Sequence, residues 1–382
     1  MSLKLSPQSP VDDGQNIALN MCDRQLRQYA HRFQVPRITT RLPFKRNPID
    51  VSAEHLLYSW ANWVYPYSSV SRNRFDAFAS LGQFSAFVYP FGRQDLPDRF
   101  ANTAKIIITM FILDDHYEES WGDGRGRRLD LCKSFWGEWE SMIDKLEDPV
   151  AAPVPITHWA PYLVGTYATL DAVAIDLDAV QRRRFVALWR PYGAVNVAET
   201  MLIKTRLHEL TSVKQIFDIR MHTIGTQQLM MLSEYVEGVG CTDRPGMTKA
   251  EWASPLWQRY LRECCEHMIC VNDMFSFEKE YRQECGNLAN MFNVVALTTR
   301  LAPGSTVSDG MRQIVARIEA YECAIVDIYR DIVTGDKDSR NGEPSSRAMR
   351  RMADRMLYFV GGNYKFHTVC DRYRRFSAIS EC

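Results

Sequence analysis

The 382-residue sequence predicts an all-α protein. Three observations carry that expectation. Segments of about 15 to 30 residues repeat apolar side chains at spacings of three and four, as in "QLMMLSEYV" and "EAYECAIVDIYRDIV". Short polar breaks separate them, among them "YPFGRQDLPDR", "WGDGRGRR", "EDPVAAPVP", "EGVGCTDRPG" and "TGDKDSRNGEPSS". The Asn-Gly and Asp-Gly dipeptides lack the alternating flanks that would mark strand hairpins.

In chain order, residues 1–50 read as a polar, Pro- and Arg-punctuated lead-in, partly disordered. Residues 51–382 read as a single helical domain of roughly ten helices, with no internal repeat and no shift of composition. The β-branched run "KIIITMFIL" is ambiguous, because a buried strand would look the same. It continues from "DRFANTA" without a turn, which favours a helix over 101–120, buried on most sides and stopped by "WGDGRG".

With 46% hydrophobic and 24% charged residues, the chain is long enough for one large core. A formal net charge of zero argues against a nucleic-acid partner, which would normally leave a basic excess. No stretch approaches the roughly 20 apolar residues of a membrane span. The start "MSLKLSPQSPVDDGQN" lacks the apolar core of a signal peptide. Ten cysteines without a C-x-x-C pair read as reduced thiols. The expectation is a soluble cytoplasmic protein with no membrane span. Its oligomeric state is not legible, and a homodimer stays open.

The stretch "FILDDHYEES" calls for an explanation. Asp114 and Glu118 share one helix face, and Asp115 and Glu119 the adjacent one, in the last turns of the helix. A helix C-terminus carries partial negative charge and disfavours acids by up to about 1 kcal/mol each. Like charges four apart add to the cost. A solvated acidic helix end tolerates this; a bound hard cation offsets it. A second segment, "VNDMFSFEKEY", sets Asn272, Ser276 and Glu280 at i, i+4 and i+8. An amide, a hydroxyl and a carboxylate on one stripe form an oxygen-only ligand row of the kind Mg²⁺ accepts. Lys279 beside it suits a phosphate.

Together these motifs resemble those of the class I terpene synthase (terpene cyclase) family, most of all its microbial and fungal sesquiterpene synthases. "DDHYE" is similar to the family's D-D-x-x-D/E motif, and "NDMFSFEKE" to its N-D-x-x-S-x-x-x-E motif at every defining position. "DIRMHTIG" resembles its R-x-x-T-x-G segment, and Arg372-Tyr373 in "CDRYRRF" its Arg-Tyr pair. The four occur in the family's order across most of the chain. The family often carries a Trp shortly before the Arg-Tyr pair, where this chain has Phe366.

The resemblance implies a single helical bundle around a central apolar cavity, and three Mg²⁺ ions held by Asp114, Asn272, Ser276 and Glu280. Asp115 and Glu118 join them, with Glu119 as the alternative to Glu118. Arg220, Lys279, Arg372 and Tyr373 would bind the diphosphate of a linear prenyl diphosphate, farnesyl diphosphate foremost. Arg220, Arg372 and Tyr373 count as catalytic in that reading. Thr223 to Gly225 would form a helix break facing the substrate. Metal ions and basic donors would stabilise the leaving diphosphate, and a dry cavity the carbocation.

Phe111, Phe84 and Phe87 are the pocket candidates, with Tyr89, Trp60 and Trp63 as weaker ones; for all but Phe111 ordinary core packing explains the residue equally well. His116 is expected to point away from the metals. "GDGRGRR" follows an acidic helix rather than a strand, so it is no nucleotide loop. No His lies three after a Glu, which leaves no Glu-x-x-His di-iron signature. Two rivals stand beside this reading. A chain-elongating prenyltransferase of the same fold would carry a second D-D-x-x-D in place of Asn272, Ser276 and Glu280. A non-catalytic helical scaffold would bind no diphosphate.

Overall fold

Helix starts in this chain are written in its capping residues. The computed structural model describes residues 33–48, 57, 59–61, 64, 81–120, 129–148, 161–239, 245–335, 345–370, 373 and 378–379, with 114–120 and a few helix ends given by their backbone alone. Gly82–Val88 (α1) stops at Tyr89 because Pro90 follows, and a residue before proline is driven out of the helical region. Pro97–Ser120 (α2) opens on a proline at its first position, where a missing N–H costs nothing. It contains the ambiguous "KIIITMFIL" run as helix. Ile106, Ile107, Ile108, Ile112 and Leu113 are all buried, so tertiary packing outweighs the strand preference of β-branched residues.

Leu129–Glu147 (α3), Pro161–Ala174 (α4) and Ala179–Thr205 (α5) follow, the last behind a capping box made by Asp178 and Gln181. Val213–Thr223 (α6) and Thr226–Val236 (α7) are split by Gly225, whose φ of 71° is left-handed and open to glycine at little cost. After the short Lys249–Trp252 (α8), Ser254 caps the 29-residue Pro255–Gln283 (α9). Val294–Leu301 (α10), Val307–Thr334 (α11) and Arg347–Val369 (α12) start behind Asn293, Thr306 and Ser346, each accepting from a first-turn N–H.

Helix α7 sits at the centre, against α2, α5, α6, α9 and α12, and every residue in it except Gln227 is buried. A helix walled in on all sides loses its polar face, which explains the dense "LMMLSEYV" stretch. Around it, α9 packs on α11, α12, α10 and α6, while α3 lies along α5. Gly362 on α12 lets α1 approach: a methyl group there would overlap the Phe87 carbonyl. Among the described residues no helix is long and apolar enough to cross a membrane.

The described part of the lead-in, 33–48, is laid along this bundle. Thr40 Oγ1 and the Arg41 N–H donate to the two oxygens of Glu322 on α11, at 2.6 and 2.7 Å. Tyr364 on α12 donates to the Ile38 carbonyl at 2.7 Å, and Asn47 Nδ2 to the Tyr89 and Gly92 carbonyls. Gln34–Val35 (β1) pairs in parallel with Ala378–Ile379 (β2), the one strand pairing among the described residues, which joins the lead-in to the C-terminal segment.

Candidate active site

The i, i+4, i+8 register of α9 brings Asn272, Ser276 and Glu280 to one wall of a cavity, with Lys279 beside them. Ser276 donates to one oxygen of Glu280. The other accepts from Asn293 Nδ2 at 2.9 Å. Asn272 uses both ends of its amide. Its Oδ1 accepts from Arg220 Nη2 at 3.0 Å, and its Nδ2 donates to the Tyr373 hydroxyl at 3.2 Å. His367 Nδ1 lies 2.8 Å from the Asn363 carbonyl, which can only accept, so Nδ1 carries the proton. In the neutral ring Nε2 is then an acceptor, 3.5 Å from Asn272 Nδ2. The His367 and Tyr373 rings lie 4.3 Å apart, centroid to centroid, at 30°.

Arg220 is in the last turn of α6, where a cation is favoured by the helix dipole. Its guanidinium also pairs with Asp273 at 2.7 Å, and Asp273, only 1% exposed, accepts the Val294 N–H of α10 through its other oxygen at 2.8 Å. Glu278, which adds to the acidity of the segment in sequence, turns elsewhere: it pairs with Arg282 and lies 3.4 Å from the Phe33 N–H. The acidic look of "NDMFSFEKE" is therefore largely neutralised by two arginines.

The opposite wall is apolar. Phe84, Ile107, Met110, Phe111 and Leu229 line it, Met268 and Phe275 of α9 add apolar surface beside the oxygen row, and the cavity holds about 1130 Å³ of atom-free space including its open mouth. Thr223 and Ile224 contribute the edge where α6 ends; Gly225 lies behind them, and a methyl group on it would overlap Met110 Cε. Phe87 is not part of the lining. It packs on Phe366, at 6.3 Å between ring centroids, and under Arg46. Phe366 stands behind Phe84, 4.9 Å between rings, as core rather than roof. Tyr89 is buried and spends its hydroxyl on the Leu229 carbonyl at 2.7 Å. Trp60 lies under Lys105 and away from the cavity lining.

Asp114 follows Met110 by four residues and Phe111 by three on the continuous helix α2, and Asp115 and Glu118 continue it. The side chains of Asp114, Asp115, His116, Glu118 and Glu119 lie outside the described residues, as do Arg372 and Trp63. No group of three His, Cys, Asp or Glu side chains comes together among the described residues; the α9 row supplies an amide, a hydroxyl and one carboxylate instead.

Glu199, Asn196, Tyr192, Asn363 and His367 line the cavity without having stood out in the sequence. The i, i+4 pair His367–Asn363 on a helix running into the Arg-Tyr pair is the signal that points to them. Asn293 carried only the signature of a helix start.

The family model for terpene synthase family 2, C-terminal metal binding, matches residues 105–322, more than half of the chain. Preterpestacin I synthase from Cochliobolus heterostrophus is 21% identical over 349 residues, which cover 89% of this chain; the chain spans 44% of that relative's length. The linalool/nerolidol synthase of Streptomyces clavuligerus, solved with 2-fluorogeranyl diphosphate, superposes with a TM-score of 0.65 at 17% identity, over 85% of this chain and 100% of that one. Hedycaryol synthase solved with nerolidol gives 0.63 at 16% identity, over 87% and 99%. The fold, the order of the motifs and the family model agree: this chain belongs to the terpene synthase family.

Proposed function

We propose that the protein ionises a linear prenyl diphosphate, farnesyl diphosphate foremost, cyclises the carbocation to a sesquiterpene and releases inorganic diphosphate, with Mg²⁺ as its metal. The observation that carries this reading is one cavity with two unlike walls. Asn272, Ser276, Glu280, Lys279 and Arg220 stand on one side, and Phe84, Ile107, Met110, Phe111 and Leu229 on the other. A prenyl diphosphate has the same division, an anionic head and a hydrocarbon tail. The S. clavuligerus enzyme of this fold was solved with 2-fluorogeranyl diphosphate, a molecule of that kind.

The donors fit a hard divalent cation. All three α9 side chains offer oxygen, and Asn272 Oδ1 already accepts from a cation, the Arg220 guanidinium. Asp114, Asp115 and Glu118 of α2 with Asn272, Ser276 and Glu280 of α9 would hold Mg²⁺, three ions by the family resemblance. When bound, Mg²⁺ neutralises the charge that develops on the departing diphosphate.

Arg220, Lys279, Arg372 and Tyr373 bind that diphosphate through charge-assisted and hydroxyl hydrogen bonds, and stabilise it as the C–O bond breaks. The apolar wall keeps water from the carbocation. Phe84, Phe111 and Phe275 present rings to it, each worth about 0.5 to 2 kcal/mol toward a cation. The α6 C-terminus at Thr223 and Ile224 adds its partial negative charge.

Purified protein is incubated with geranyl, farnesyl or geranylgeranyl diphosphate, with Mg²⁺ or with EDTA, and the volatiles are analysed by gas chromatography. Cyclic hydrocarbon from farnesyl diphosphate, lost with EDTA, is the expected result. Absence of Mg²⁺-dependent diphosphate release from all three substrates would overturn the reading. Addition of isopentenyl diphosphate separates it from chain elongation, which would return a longer diphosphate.

A further inference from the structure

We infer that Asn293 is a positioning residue for the last oxygen donor of the α9 row, Glu280. The inference rests on the catalytic reading of that row. Asn293 is completely buried and precedes α10. Its side-chain oxygen accepts the Val295 and Ala296 N–H groups at 2.9 and 3.4 Å, the ordinary work of a helix cap. That fixes the sense of the amide: with Oδ1 held by the helix, Nδ2 has to point the other way. There it donates to Glu280 Oε2 and to the Asp273 carbonyl, both at 2.9 Å.

Glu280 needs such a hold. It lies one turn before the end of α9 on a side chain with three rotatable bonds, and holding such a chain in one rotamer costs conformational entropy that its partners have to offset. Its two oxygens are secured from different directions, one by Ser276 on its own helix and one by Asn293 on another. Asn293 is an anchor that comes from the tertiary structure. Asp273 is tied to the same turn, through its carbonyl to Asn293 and through its carboxylate to the Val294 N–H, and it holds Arg220. The start of α10 thus sets both the carboxylate of the row and the partner of its arginine.

Two substitutions separate the cap from the anchor. Ser caps a helix about as well as Asn but has no amide to reach Glu280, so Asn293→Ser keeps the cap and removes the anchor, along with the hydrogen bond to the Asp273 carbonyl. Asn293→Ala removes both. Mn²⁺ binding in the presence of inorganic diphosphate is measured by calorimetry on the full chain, with melting temperature as the fold control and the Mg²⁺ half-saturation of turnover alongside. Both variants are expected to bind Mn²⁺ about 10- to 100-fold more weakly than wild type. Asn293→Ala should melt several degrees below Asn293→Ser, by about the loss of one cap. Wild-type affinity in a folded Asn293→Ser protein would overturn the inference alone. Failure of both variants to fold would assign Asn293 to the fold and overturn it equally. Wild-type protein that takes up no Mn²⁺ with diphosphate would sink the catalytic reading itself, and this inference with it.

Discussion

Arg220 and Asn272 meet across two helices, the guanidinium of one donating to the amide oxygen of the other at 3.0 Å. The same guanidinium pairs with Asp273, the next residue along α9. The last turn of α6 is thereby fastened to the start of the oxygen row, and a cationic group and an amide oxygen occupy one corner of the cavity. The remaining amide atom of Asn272 reaches Tyr373, so this residue links three parts of the chain that are distant in sequence.

Asn272→Ala is expected to lower turnover about 100-fold or more while the melting temperature moves by only about 3 °C. The loss would come from the missing oxygen donor and from the released Arg220 and Tyr373. Assay of diphosphate release with a melting curve on the same sample checks it; full activity would remove the case for the row.

Phe111 stands in the lining one turn before Asp114, its ring 6.5 Å from that of Phe84. Phe111→Ala should change the ratio of products more than the rate of diphosphate release. Truncation reshapes the apolar wall and leaves the diphosphate grip alone. Chromatography of the products against a diphosphate assay gives the two numbers, and an unaltered product spectrum counts against a contouring role.

Gly225 has a left-handed φ, and its open side is filled by Met110 Cε. In Gly225→Ala the backbone conformation alone costs about 1 to 2 kcal/mol. The new methyl group also pushes Met110 toward the cavity. Denaturation should show a loss of about 2 kcal/mol or more, together with altered products. Wild-type stability would mean that the break between α6 and α7 is not held as described.

Glu322 ties 40 and 41 to α11. Burial by itself raises its pKa, yet hydrogen bonds from His267, the Arg41 N–H and Thr40 outweigh it and hold the carboxyl below its ordinary value. A depressed carboxylate stabilises the fold above its unfolded pKa, near 4.3, and loses that contribution as pH falls through the lower folded value. Glu322→Gln should therefore melt lower than wild type at pH 7, and the gap should close in acid as wild type loses its advantage. The amide has one accepting oxygen where the carboxylate uses two, and its NH2 group meets a donor at the other position. An equal gap at both pH values would exclude this linkage.

What the sequence determined by itself was periodic and local. Apolar spacing marked the helices, and tertiary burial of Ile106 to Ile108 turned an ambiguous run into one of them. The register of Asn272, Ser276 and Glu280 follows from 3.6 residues per turn, whereas the break at Gly225 was expected from the family resemblance, and the left-handed φ that suits glycine there belongs to the structure. Which helix faces meet is a different matter, decided by packing between segments tens to hundreds of residues apart. That is why Arg220 with Asp273, Asn293 with Glu280, and Glu322 with the 40–41 backbone could not be read beforehand. The same reason separates Phe84, which lines the cavity, from Phe87, three residues on, which fills the core against Phe366. Aromatic identity is a property of the sequence, whereas facing a cavity or a neighbour is a property of how α1 lies on α12.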